Sequence, residues 1–133
     1  MKYHISLAAF AAAIMVSGAA LAQDFVQSGS ADTLPQTEGK DLYNAVCSGC
    51  HMPDGMGAVG AGKYPPLAGN SFVDSKEAVT QWIIKGHKGM PPLGMLMDDT
   101  QIAELVNYVR HNLGDNNFEG DMTPAEVADV RNW

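Results

Sequence analysis

The chain has 133 residues, 8 Lys and Arg against 15 Asp and Glu for a net charge of −7 at neutral pH, and two cysteines. That length fits one domain behind a short leader and leaves no room for a second. The acidic balance argues against nucleic acid, which needs a basic footprint; it suits a partner with a basic docking patch or plain solubility, which charge alone does not separate.

The opening segment, residues 1–22, reads as an export signal. Lys2 and His4 form a short positive head, Ile5 to Ala20 is an almost unbroken apolar run, and Ala20-Leu21-Ala22 supplies a small-residue cleavage site before Gln23. The run is shorter than the roughly 20 residues a spanning helix needs. Cleavage after Ala22 is therefore expected rather than retention as an anchor, leaving an exported, periplasmic remainder with no stable membrane insertion. Loss of Lys2 makes that remainder one charge more negative. Residues 23–36 are polar without an apolar period and read as a flexible lead; 37–133 read as the folded domain.

Thr37 is expected to cap a first helix running to about Val46, with Leu42, Tyr43 and Val46 on one face. That helix delivers Cys47-Ser48-Gly49-Cys50-His51, and Cys-x-x-Cys-His reads as a c-type haem attachment site. Two thiols on one turn of chain can each form a thioether with a vinyl group of the same porphyrin, and the histidine then meets the iron as an axial ligand. A zinc site would want a second Cys/His pair at ligand spacing, and none is present. A redox Cys-x-x-Cys would want a βαβ context, whereas the surroundings read as helical. A structural disulfide is the bland alternative, and His51 weighs against it. Haem attachment and export agree, because c-type haems in bacteria are attached outside the cytoplasm.

Residues 52–63 form a glycine-rich loop with two deceptive matches. Gly55 to Gly60 fits G-x-G-x-x-G, but the dinucleotide fingerprint needs a strand before it and a helix after it. Gly57 to Lys63 fits the start of a phosphate loop, but Tyr64 stands where Ser or Thr must bind magnesium. Loop glycines are the better reading of both.

Asp74 with Glu77 is expected to cap a second helix whose apolar stripe is Ala78, Val79, Trp82 and Ile83, with Gly86 ending it. Asp98 with Gln101 caps a third, carrying Ile102, Leu105, Val106, Val109 and Leu113 on one face and stopping by Gly114. Thr123-Pro124-Ala125-Glu126 is a strong start signal for a short last helix towards Arg131. Nothing alternates with period two over a useful length, so the expected fold is all-α with long loops.

A first helix carrying Gly39 and Tyr43 leads into the Cys-x-x-Cys-His run. Then come Tyr64-Pro65-Pro66-Leu67-Ala68-Gly69-Asn70, Gly89-Met90-Pro91-Pro92-Leu93, and a closing helix with Leu105-Val106-Asn107-Tyr108-Val109-Arg110. Together they resemble class I cytochrome c from about Glu38 to Leu113. The resemblance implies about four helices packed around one covalently attached haem c, with Cys47 and Cys50 as the thioether positions and His51 on the iron. It implies a second axial ligand on a loop before the last helix, where Met90 matches by position and by the proline after it. Met95, Met97 and His87 are the competitors; Met52 and Met56 lie too near His51 in sequence and read as packing. Pro65 resembles the proline whose carbonyl accepts from the haem histidine's other ring N–H. Tyr64, Asn70 and Trp82 stand where side chains could bond propionates or line the haem, or equally serve as packing and turn residues. Gly39, Tyr43 and Tyr108 resemble the contact between first and last helices. His111 reads as a surface residue near a helix C-terminus.

A Met/His iron has a raised potential and no open position, so the resemblance implies a one-electron carrier with no catalysis at the iron. The chain is similar to cytochrome subunits of periplasmic dehydrogenases, which would make a dehydrogenase the electron donor and an oxidase or other cytochrome of a respiratory chain the acceptor. The other class to weigh is a haem enzyme or gas-binding protein with a labile sixth ligand, peroxidase-like, for which His87 is the one candidate distal group.

Overall fold

The computed structural model describes residues 33–60 and 62–133. The expected signal, its cleavage site and most of the polar lead lie outside the described residues.

The first helical stretch is longer than its apolar period suggests. It begins as α1 (Gly39–Leu42), widens through a π turn over Tyr43–Cys47, and resumes as α2 (Ser48–His51). The Cys-x-x-Cys-His run therefore lies within helical backbone rather than after it. A π turn accommodates one extra residue, which shifts the register in a way that a 3.6-residue pattern does not display. The N-cap falls on Glu38 with no side-chain cap bond, one residue past the expected Thr37. Directly after His51 the chain reverses at Met52, whose φ of 64° is unusual for a side chain other than glycine. The Tyr43 hydroxyl holds that reversal by donating to the Met52 carbonyl at 2.7 Å.

The glycine-rich segment folds as a small antiparallel hairpin, β1 (Ala58–Val59) against β2 (Lys63–Tyr64), with Ala58 opposite Tyr64. No helix follows its glycines, so neither nucleotide motif has its context. A 3-10 turn over Ser71–Asp74 comes next, capped by Asn70, whose side chain accepts from the Phe72 N–H at 3.0 Å.

α3 (Lys76–Lys85) starts one residue later than expected. Asp74 is spent in the 3-10 turn, and Ser75 takes the N-cap, its hydroxyl accepting from Ala78 N at 3.3 Å. Gly86 ends the helix with φ 73°. A Cβ there would stand 2.8 Å from Pro92 N, so glycine is required twice over at this corner. α4 (Asp99–His111) and α5 (Pro124–Arg131) open with complete capping boxes, Asp98 with Gln101 and Thr123 with Glu126.

α4 is the axis of the core. Ile102, Leu105 and Val106 are fully buried on it, each contributing roughly 1.5–3 kcal/mol relative to exposure. They pack with Leu42 and Tyr43 from the first stretch, Val73 from the 3-10 turn and Val127 from α5. α1 crosses α4 where Gly39 lets the backbones touch, since a Cβ there would press on the Glu104 carbonyl and stand 2.7 Å from Tyr108 Cβ. Tyr43 and Tyr108 extend that crossing, their ring centroids 5.7 Å apart. The crossing fixes the direction of the helix that carries Cys47, Cys50 and His51.

Candidate functional site

The Cys-x-x-Cys-His residues share one helical stretch, so their relative placement is set by backbone rather than by loop packing. The Cys47 and Cys50 thiols are free, Cys47 half-buried and Cys50 exposed. Burial, and secondarily the neighbouring Cys50, pushes the Cys47 thiol up to about 12. A thiol kept neutral in this way belongs to apolar contact and is a poor match for a reactive surface thiolate.

His51 Nδ1 lies 2.9 Å from the Pro65 carbonyl. A carbonyl accepts and cannot donate, so Nδ1 carries the hydrogen and Nε2 keeps its lone pair. The neutral imidazole is thereby held in the tautomer that can ligate a metal through Nε2, with its ring orientation fixed by the bond behind it. The hairpin places Pro65: β2 ends at Tyr64, and the Leu67 and Ala68 N–H groups both donate to the Gly55 carbonyl, at 2.7 and 3.0 Å.

Met90 sits in a tight reversal after α3. The backbones of His87 and Met90 exchange two hydrogen bonds, at 3.0 and 2.9 Å, and Met90 packs half-buried against the core. The competing groups are placed differently. Met95 is 89% exposed and Met97 only 2% exposed, the latter serving as a core anchor. His87 stacks flat on Trp82, with centroids 4.0 Å apart and 4° between planes, and Phe72 covers the other face of Trp82 at 3.9 Å.

Asn70 is already committed to backbone: its oxygen caps the 3-10 turn and its amide donates to the Pro66 carbonyl at 2.8 Å. Tyr64 is exposed and Trp82 half-buried within its stack. The residues that spacing does not single out are Asn116 and Arg110. Asn116 is buried and ties Gly69 to α4, accepting from Gly69 N at 2.8 Å and donating to the Leu67 and Val109 carbonyls. No local sequence signal marks it, because its partners lie up to 49 positions away.

The group that this donor set suits is a haem c. One helical turn offers two free thiols and a histidine with Nε2 held ready. Leu67, Phe72, Met90 and Leu93 pack on the core only in part, which leaves apolar surface for a porphyrin plate to cover. The described residues hold no cluster of three or more His, Cys, Asp or Glu side chains able to grip a bare ion.

A helix carrying Cys-x-x-Cys-His and crossed by α4, with a methionine loop between α3 and α4, fits a class of small all-α haem protein. The family described as cytochrome c oxidase, cbb3-type, subunit III matches residues 35–109. Cytochrome c-552 of Thermus thermophilus is 33% identical over 114 residues, covering 74% of this chain and 75% of that one. The alcohol dehydrogenase (quinone) cytochrome c subunit of Gluconacetobacter polyoxogenes is 31% identical over 121 residues, and the fructose dehydrogenase cytochrome subunit of Gluconobacter japonicus is 29% identical over 110. The chain spans about a quarter of the length of these two, 25% and 22% respectively. The chain belongs to the cytochrome c family. The family carries haem c, and Cys47, Cys50 and His51 fit its Cys-x-x-Cys-His site. Among the described residues, no helix is long and apolar enough to cross a membrane.

Proposed function

We propose that the chain is an exported one-electron carrier holding one haem c through thioethers to Cys47 and Cys50, with iron between His51 and Met90. The observation that supports this reading is the 2.9 Å bond from His51 Nδ1 to the Pro65 carbonyl, which leaves Nε2 of the neutral ring free to ligate. A bound haem c supplies the ferric/ferrous couple. The chain's part is to hold the ring, exclude water and keep both axial positions filled. Met90 supplies a soft neutral thioether, which favours ferrous iron and raises the potential. Pro91 and Pro92 restrict the backbone behind it, so presenting the sulfur costs little ordering entropy.

Electrons enter and leave through docking at the haem edge, and no substrate is transformed. Relatives named as cytochrome subunits of alcohol, fructose and gluconate dehydrogenases support a periplasmic dehydrogenase as donor. A respiratory oxidase or another cytochrome is the acceptor. The export signal at 1–22, cleaved after Ala22, is consistent with that compartment. Tyr64 and Trp82 line the haem region, whereas Asn70 acts there as a turn residue through its two backbone bonds.

The test is a redox titration of the purified holoprotein together with its mass under denaturing conditions. A one-electron Nernst curve and a mass greater by one haem support the reading. Haem that dissociates on denaturation contradicts it.

A further inference from the structure

α5 lies beyond the residues that the family match covers, and its last residue reaches back across the fold. Arg131 Nη1 donates to the Gly94 carbonyl at 2.7 Å, and Nη2 to the Met97 carbonyl at 2.7 Å. Its Nε donates to the Asp99 carboxylate at 2.5 Å. The three acceptors lie within six positions of chain, on the segment that joins Met90 to α4. Gly94 and Met97 bracket the exposed Met95, and Asp99 stands in the first turn of α4. One planar guanidinium thus spans the far half of the methionine loop.

The near half of the loop is held by α3. Leu93 N donates to the Ile83 carbonyl at 2.9 Å and Gly94 N to the Ile84 carbonyl at 3.3 Å. Beyond that, the Leu96 carbonyl accepts from Leu34 N at 3.0 Å. Among the described residues, the side-chain hydrogen bonds between this loop and α5 come from Arg131. The pair with Asp99 is about one third exposed on each side, 29% and 34%, so its charge attraction alone is weak. The fork geometry is what matters, because it fixes three acceptors relative to one another, which a lysine ammonium does not reproduce.

We infer that Arg131 is a positioning residue for the sixth iron ligand: α5 clamps the Gly94–Asp99 segment through it and so keeps the Met90 loop seated. This rests on the Met90 reading above. A loop freed at its far end opens more often, and an external ligand competes more easily for the iron.

The test uses ferric holoprotein of the full chain, with imidazole as the probe and the weak far-red band of a methionine-ligated ferric haem as the second readout. Imidazole affinity is measured well below the melting temperature of every variant. Hydrogen bonds from a charged donor support an expected tightening of about tenfold in Arg131→Gln, with the far-red band diminished. Asp99→Asn, which leaves both carbonyl bonds in place, shifts affinity in the same direction by less. Arg131→Lys, which keeps the charge and loses the fork, falls nearer to Arg131→Gln than to the unsubstituted protein. Imidazole affinity and band unchanged in Arg131→Gln, with a lowered melting temperature alone, would show a mere staple and overturn the proposal. Arg131→Lys behaving as the unsubstituted protein would overturn the fork argument. A far-red band missing from the unsubstituted protein sinks the Met90 reading itself, and the positioning role with it.

Discussion

Arg110 offers the sharpest test of how this fold is held together. It is 1% exposed, and its guanidinium donates to four backbone carbonyls: Val73 at 3.2 Å, Asp74 at 3.1 Å, Glu119 at 2.7 Å and Gly120. It thereby joins α4 to the 3-10 turn and to the segment that leads to α5. In Arg110→Met most of the volume is kept and all four bonds are lost. The Asp74, Glu119 and Gly120 carbonyls belong to exposed residues and regain water, whereas Val73 is fully buried and does not. Each unmet buried acceptor costs about 1–3 kcal/mol. Relief of the desolvation cost of a buried cation offsets part of that. With one such acceptor left and part of its cost offset, the expected net loss is about 1–2 kcal/mol, a sizeable fraction of a small domain's stability. Urea unfolding of the holoprotein followed by far-ultraviolet circular dichroism measures it. No loss, or a gain, at unchanged slope would refute the reasoning, because the Val73 carbonyl would then have found another donor.

Helix propensity alone says that Gly39→Ala should stabilise α1 by about 1 kcal/mol; the 2.7 Å approach to Tyr108 Cβ says that overpacking wins, with a net lowering of the melting temperature. Met90→Leu should abolish the far-red ferric band and leave an iron that binds carbon monoxide when reduced; survival of the band would move the ligand to Met95 or Met97. The Lys76 ammonium, followed by bonds from Thr123, holds the Glu126 carboxyl down to about 2. Because that folded-state value is depressed, the contribution is present above the unfolded value of 4.5 and is lost as pH falls towards 2. Glu126→Gln should therefore flatten the acid limb of the stability curve in that window, and an unchanged limb would assign the acid sensitivity elsewhere.

Local chemistry was the part of this molecule open to reading from sequence. The boxes at Asp98 with Gln101 and at Thr123 with Glu126 involve residues three apart, and both stand in the structure. So does the stop at Gly86, where positive φ is a property of one residue. The first helix ran past its expected end because a π turn adds a residue without leaving a mark in apolar spacing. Asp74 was the expected cap of the second helix, but it is taken up by the 3-10 turn, and Ser75 caps instead. Long-range polar ties outside the haem motif escaped. Gln101 was legible as a box residue, yet its amide also donates to the Gln36 carbonyl 65 positions away at 2.8 Å. Asn116, Arg110 and Arg131 likewise act on carbonyls distant in sequence, and a backbone acceptor has no residue identity to recognise. In the candidate site the motif residues follow from spacing, while the bond from His51 to the Pro65 carbonyl was expected from the family resemblance alone, since it depends on a hairpin that brings Pro65 back across 14 positions.

The central claim is a closed iron between His51 and Met90, and carbon monoxide tests it most directly. The reduced holoprotein at neutral pH is titrated with carbon monoxide and followed by its Soret spectrum. With both axial positions filled by the chain, the spectrum should not change. Ready formation of a carbon monoxide complex would contradict it and favour a haem enzyme or gas-binding protein with an open site.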